Sequence, residues 1–162
     1  MTTFLRAWLA HLLATPPAVP AASEMGILVV DDHVSACLYA DRVLRLSGYR
    51  AVVASSGGEA VKKAAAMPRV DVLVTDLIMP GMDGDELARL LRVRDEQLKV
   101  LYVTGLGSRL FTQRVALREG DALLEKPFTV AALEHAFSML TYGEPARPRE
   151  VTGQGAAPAL WT

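Results

Sequence analysis

Five side chains suited to metal and phosphoryl chemistry recur along this chain in one order: Asp31 and Asp32, then Asp76, then Thr104, then Lys126. The first four stand at or just beyond the ends of the apolar runs Ile27 to Val30, Val70 to Thr75 and Val100 to Val103, and Lys126 follows Ala122 to Leu124. Short continuous runs of this kind read as buried β-strands. In a parallel α/β sheet the carboxyl ends of the strands share one edge, and ligands bind in the crevice there. The spacing therefore predicts an acidic pocket with a cation on its rim. Clustered carboxylates repel one another, and a hard dication removes that repulsion. Mg2+ suits such a site, being held by a few carboxylates together with water and phosphate oxygens. One Asp could then attack phosphorus and form an acyl phosphate. The phosphoryl oxygens would draw donors from the Thr hydroxyl, the Lys ammonium and backbone N–H groups. Taken singly, each residue has a plainer explanation. An Asp-Asp pair at a strand end is often a helix N-cap, Asp76 precedes a Pro-Gly turn, and a loop Lys is ordinarily solvated. Their joint order and spacing carry the functional reading.

These residues need a scaffold that brings strand ends together. Strand and helix patterns alternate in the expected manner: strands at Gly26–Asp31, Arg50–Ala54, Asp71–Thr75, Lys99–Val103 and Ala122–Leu124. Helices are predicted at Val34–Leu46, Gly58–Ala66, Asp83–Arg94, Arg109–Glu119 and Val130–Leu140, with Gly120 as C-cap of the fourth. Leu87, Leu90 and Leu91 are expected to line the inward face of the third helix. The alternation implies a doubly wound α/β fold, a five-stranded parallel sheet covered by helices on both faces. Right-handed crossovers leave few topologies. The flavodoxin-like order 2-1-3-4-5 fits, because it sets strands one and three side by side and brings Asp31, Asp32 and Asp76 together.

Three segments, Ile27 to Asp32, Val74 to Gly84 and Glu125-Lys126-Pro127-Phe128, resemble those of a two-component response-regulator receiver domain, in the same order and at the same separations, across about Met25 to Tyr142. The resemblance implies that Asp76 is the phosphoacceptor. It also implies that Asp32 ligates Mg2+ directly, Asp31 mainly through water, and the backbone carbonyl of Ile78 completes the protein ligands. Thr104 would bond a phosphoryl oxygen and Lys126 would pair with it, while Pro127 would follow a cis peptide bond, as X-Pro permits. One departure concerns Leu123, which stands where many family members carry an aromatic residue that turns inward on activation. The resemblance also implies that apolar Ile78 and Leu106 border the approach of water to the phosphoryl group.

At 162 residues the chain accommodates one domain with tails. Residues 1–24 read as a short amphipathic helix, with Phe4, Leu5, Trp8, Leu9, Leu12 and Leu13 as its stripe, followed by a Pro/Ala linker. That stripe is too short to span a bilayer, which takes about 20 apolar residues. Met25 is an alternative start. Residues 25–142 are the receiver, and residues 143–162, rich in Gly and Pro, read as a disordered tail. A net charge of −1 argues against a general nucleic-acid binder. The single Cys37 reads as a buried structural thiol in a reducing, cytoplasmic setting. His33 and His135 lack a metal-ligand partner at useful spacing.

The expected function is that of a stand-alone receiver in a phosphorelay, not an enzyme beyond its own phosphorylation and dephosphorylation. It would take a phosphoryl group from a sensor histidine kinase or phosphotransfer protein and signal through contacts with a downstream protein that the sequence does not name. Alternatives are a receiver module split from a hybrid histidine kinase and a phosphorylation-independent adaptor. A phosphatase of the haloacid-dehalogenase type also uses an Asp nucleophile with Mg2+, but carries a second Asp two positions on, where this chain has Ile78.

Overall fold

A computed structural model describes residues 24–105 and 117–143. Its strands are β1 (Ile27–Val30), β2 (Ala51–Ala54), β3 (Val72–Asp76), β4 (Lys99–Thr104) and β5 (Ala122–Glu125). The described helices are α1 (Val34–Leu46), α2 (Gly57–Ala66), α3 (Gly84–Arg92) and α4 (Val130–Tyr142). All neighbouring strand pairs are parallel, and the order is β2-β1-β3-β4-β5. This is the expected doubly wound sheet. The expected N-terminal helix and the tail from residue 144 lie outside the described residues, as does most of the expected helix at Arg109–Glu119. Its described end is not helical: Leu117 and Arg118 are irregular and Glu119-Gly120 form a turn. The Arg118 N–H donates to Asp121 Oδ2 at 3.0 Å. Gly120 has φ +90°, a left-handed conformation that glycine adopts without steric cost.

Because side chains alternate across a strand, β1, β3 and β4 each supply two cores. Leu28, Val30, Leu73, Val100 and Tyr102 pack under α2 and α3 with Ala60, Ala64, Leu87 and Leu91. Ile27, Val29, Val72, Val74, Leu101 and Val103 pack on the other face under α1 and α4 with Cys37, Val43, Leu44, Leu133 and Phe137. Burying side chains of this size contributes about 1.5–3 kcal/mol each against solvent exposure. Capping sets two helix starts: Ser56 accepts the Glu59 N–H at 3.2 Å, and Thr129 accepts the Ala132 N–H at 3.2 Å. Gly143, at φ +69°, closes α4.

Helix α3 departs from expectation on its inward face. Leu87 and Leu91 are buried, but Leu90 faces outward, and Arg92 takes the next buried position. The inward stripe follows 87, 88, 91 and 92, so Leu90 falls on the flank while Arg92 points at the sheet. The Arg92 guanidinium pairs with Asp121, their side chains 7% and 1% exposed. Arg92 also donates to the Leu98 carbonyl from Nε at 3.3 Å and from Nη2 at 3.2 Å. Asp121 accepts the Val100 N–H at 3.3 Å. This buried pair ties the end of α3 to the starts of β4 and β5. Burial, with the Asp121 charge second, pushes the nearby Tyr102 hydroxyl up to about 12. The helix ends at Arg92 rather than Arg94 because its last turn tightens, Val93 and Arg94 donating three residues back to Leu90 and Leu91.

Candidate functional site

Strand order converts the dispersed motif into one site. β1 and β3 are adjacent, with Val30 opposite Thr75, so Asp31 and Asp76 leave the sheet at the same level. β4 flanks β3, Val103 opposite Asp76, which puts Thr104 one step beyond. Thr104 is buried, and its carbonyl accepts the Lys126 N–H at 2.7 Å, which anchors the start of the β5–α4 loop to the end of β4. The Lys126–Pro127 peptide bond is cis, as the family resemblance implies. Gly84 lets α3 begin against the end of β3, since a Cβ there would come within 2.1 Å of the Asp76 carbonyl oxygen.

Asp31, Asp32 and Asp76 converge as expected, each offering an oxygen within 4.8 Å of the others. Lys126 departs from expectation. Its ammonium sits between the carboxylates rather than on the rim, 2.5 Å from Asp31 Oδ2 and 2.8 Å from Asp76 Oδ2, with the side chain only 23% exposed. A long flexible cation beside two largely buried carboxylates lowers its energy by neutralising both. Desolvation is the largest influence on the Lys126 ammonium and acts to lower its pKa. The hydrogen bonds and charges of Asp31 and Asp76 together outweigh it and hold the pKa above the ordinary lysine value. A pKa raised on folding contributes stability that is complete below the unfolded value, about 10.4. That contribution is lost only as pH climbs through the folded pKa, so it is fully in place at neutral pH.

The other oxygen of each carboxylate is used differently. Asp31 Oδ1 accepts the His33 N–H at 2.9 Å, and Asp76 Oδ1 accepts the Ile78 N–H at 3.2 Å. The Ile78 backbone is thus at the pocket, while its apolar side chain is 41% exposed beside it. Cys37 is buried behind Asp31, its Sγ 3.3 Å from the carbonyl oxygens of both Asp31 and Ala54. Burial, with the Asp31 charge second, pushes this thiol up to about 11, so it is a packing group rather than a nucleophile. Leu123, at the position where an aromatic switch is common, is 43% exposed on β5 opposite Tyr102.

His33 is the pocket residue that sequence reasoning passed over. Its Nδ1 lies 3.1 Å from Asp32 Oδ1 and 3.4 Å from Asp31 Oδ1, so it does have partners suited to holding a metal. Spacing rules look for ligands three or four residues apart on a helix, whereas here a turn folds the ring back onto its immediate neighbours. The donor set is otherwise carboxylate oxygen, which fits Mg2+. When bound, Mg2+ would supply charge neutralisation at a reacting phosphoryl group, with Asp31, Asp32 and Asp76 as the residues to hold it.

Removing the Lys126 charge should expose the crowding it conceals. Lys126→Gln is expected to destabilise the metal-free protein by about 2 kcal/mol, less than for a fully buried pair. Mg2+ should stabilise the variant more than wild type, by mass action on the native state. Denaturant unfolding with and without Mg2+ measures both, and unchanged metal-free stability would contradict the ion-pair role.

Comparison with known proteins agrees with this geometry. The response regulator receiver domain family matches residues 27–138. The sensor protein EvgS of Escherichia coli is 33% identical over 117 residues, 72% of this chain and 10% of that protein. A probable chemotaxis protein CheY of Rhizobium etli is 29% identical over 125 residues, 74% of this chain and 97% of that protein. This chain also spans only 12% of the sensor kinase CckA of Brucella abortus, which it matches at 32% identity. Among solved structures, a response regulator receiver protein from Sinorhizobium medicae superposes with a TM-score of 0.65 at 30% identity, covering 72% of this chain and 94% of that one. The chain therefore belongs to the response-regulator receiver domain family of two-component signalling.

Proposed function

We propose that this receiver accepts a phosphoryl group on Asp76 from the phosphohistidine of a sensor histidine kinase or phosphotransfer protein, in a reaction dependent on Mg2+. The observation that carries this reading is the convergence of Asp76 with Asp31, Asp32 and Lys126 at the ends of β1, β3 and β5. An Asp76 carboxylate oxygen forms the new P–O bond as the P–N bond breaks, and the departing imidazole keeps that electron pair and takes up a proton. Asp32, Asp76 and the Ile78 backbone carbonyl would hold the metal directly and Asp31 mainly through water. Lys126 moves from its carboxylate partners to a phosphoryl oxygen, and the Thr104 hydroxyl donates to another. Its present partner, the Gly105 carbonyl, is a long 3.4 Å away. Receiver domains are generally signalling modules rather than enzymes, and output here runs through contacts with a downstream protein in the cytoplasm. Among the described residues no helix is long and apolar enough to cross a membrane.

Incubation with a small phosphodonor such as acetyl phosphate plus Mg2+ should add one phosphoryl group, seen by intact-protein mass spectrometry, and no group should be added when the metal is chelated beforehand. No uptake from any donor would favour the phosphorylation-independent adaptor. A receiver module split from a hybrid kinase remains a second reading, favoured by the similarity to sensor kinases. Phosphotransfer profiling against the kinases of the same genome separates it from a stand-alone receiver.

We also place the folded unit at residues 25–142, because Met25 is buried in the core under α1 and α4, and Gly143 caps the last helix. A chain of residues 25–142 should unfold as cooperatively as the full chain and at the same midpoint. A large drop in that midpoint would show that residues 1–24 or the tail pack on the domain.

A further inference from the structure

We propose that His33 adds a nitrogen ligand to the cation pocket and turns its preference toward Co2+, Ni2+ and Zn2+ relative to Mg2+. The inference rests on the pocket being a dication site, as proposed above. Ligand atoms of Asp31, Asp32, His33 and Asp76 all lie within 4.8 Å of one another. Neighbouring ligands on one six-coordinate ion with bonds of about 2.1 Å stand roughly 3 Å apart. The His33 Nδ1 distances of 3.1 Å to Asp32 and 3.4 Å to Asp31 match that spacing. Lys126 occupies Oδ2 of Asp31 and of Asp76, whereas the imidazole approaches Oδ1 of Asp31, so the cation and the ring use different oxygens of that carboxylate.

The ring's one competing engagement is the hydrogen bond of the same Nδ1 with Asp32 Oδ1 at 3.1 Å, which a bound ion would replace. His33 is the N-cap residue of α1 but makes no side-chain capping bond, and its side chain is 71% exposed. Its backbone does the local work: the N–H goes to Asp31 and the carbonyl accepts from Ala36 and Cys37. The plainer account is a surface His–Asp pair of little energetic weight. That account predicts no effect on metal choice. A nitrogen donor does predict one, because Mg2+ favours oxygen ligands while imidazole favours the later first-row dications.

The test is calorimetric titration of the full, tag-free chain with Mg2+ and separately with Ni2+, in wild type, His33→Ala and His135→Ala. In His33→Ala, Ni2+ affinity should fall about tenfold or more while Mg2+ affinity stays within about twofold. His135→Ala should match wild type for both ions, and the His33 ring resonances should respond to Ni2+ but little to Mg2+. Equal changes for the two ions in His33→Ala, or no change, would overturn the inference, as would an equal Ni2+ loss in His135→Ala. If wild type bound neither ion, the dication pocket itself would be wrong, an outcome distinct from retained Mg2+ binding with no role for His33.

Discussion

Asp76→Asn is expected to abolish phosphoryl uptake while leaving the fold intact. An amide oxygen is a far poorer nucleophile than a carboxylate, and the acyl phosphate requires an oxygen that Asn lacks. The substitution is nearly isosteric. The Asn carbonyl can still accept the Lys126 bond now made by Asp76 Oδ2 at 2.8 Å, and Lys126 keeps its second partner in Asp31. Stability should therefore change by no more than about 1 kcal/mol, the common range for single substitutions. Mass spectrometry of the variant after incubation with phosphodonor and Mg2+ should show the unmodified mass alone. Wild-type labelling should map to the peptide holding Asp76. Undiminished uptake by a folded Asp76→Asn protein would move the acceptor to Asp31 or Asp32 and undo the assignment of roles.

The largest loss of stability is expected far from that pocket, on Asp121→Ala. The substitution strips Arg92 of its counter-ion where the guanidinium is 7% exposed, and leaves the N–H groups of Val100 and Arg118 without their acceptor. Breaking a buried pair from one side costs about 3–5 kcal/mol, because the remaining charge is stranded in low dielectric. For a domain of this size that is a large share of total stability. Arg92→Met combined with Asp121→Leu should recover much of the loss, since replacing both partners by apolar groups removes the stranded charge. Urea unfolding of the single and double variants measures this directly. An Asp121→Ala protein within about 1 kcal/mol of wild type would show that water reaches the pair and screens it.

The acidic pocket was legible because its parts lie at strand ends, and parallel topology sends strand ends to one edge whatever the loops between them do. Apolar runs of four to six residues read directly as β1, β3 and β4. The resemblance of three ordered segments then implied the cis Lys126–Pro127 bond, which the structure contains. Helix interiors were legible in part: of the three leucines expected to face inward on α3, Leu87 and Leu91 are buried and Leu90 is exposed. What escaped were properties that depend on residues distant in sequence. Lys126 was expected at the rim, but its ammonium settles between Asp31, 95 residues away, and Asp76, 50 residues away, because two largely buried carboxylates attract it more strongly than solvent does. The burial of Arg92 depends on Asp121, 29 residues on, standing opposite it. The position of the His33 ring likewise follows from the turn that links β1 to α1, not from ligand spacing. Local pattern thus determined the elements and the edge where chemistry gathers. The direction of each charged side chain was decided by tertiary structure, since electrostatic energy depends on distances through space that sequence separation does not reveal.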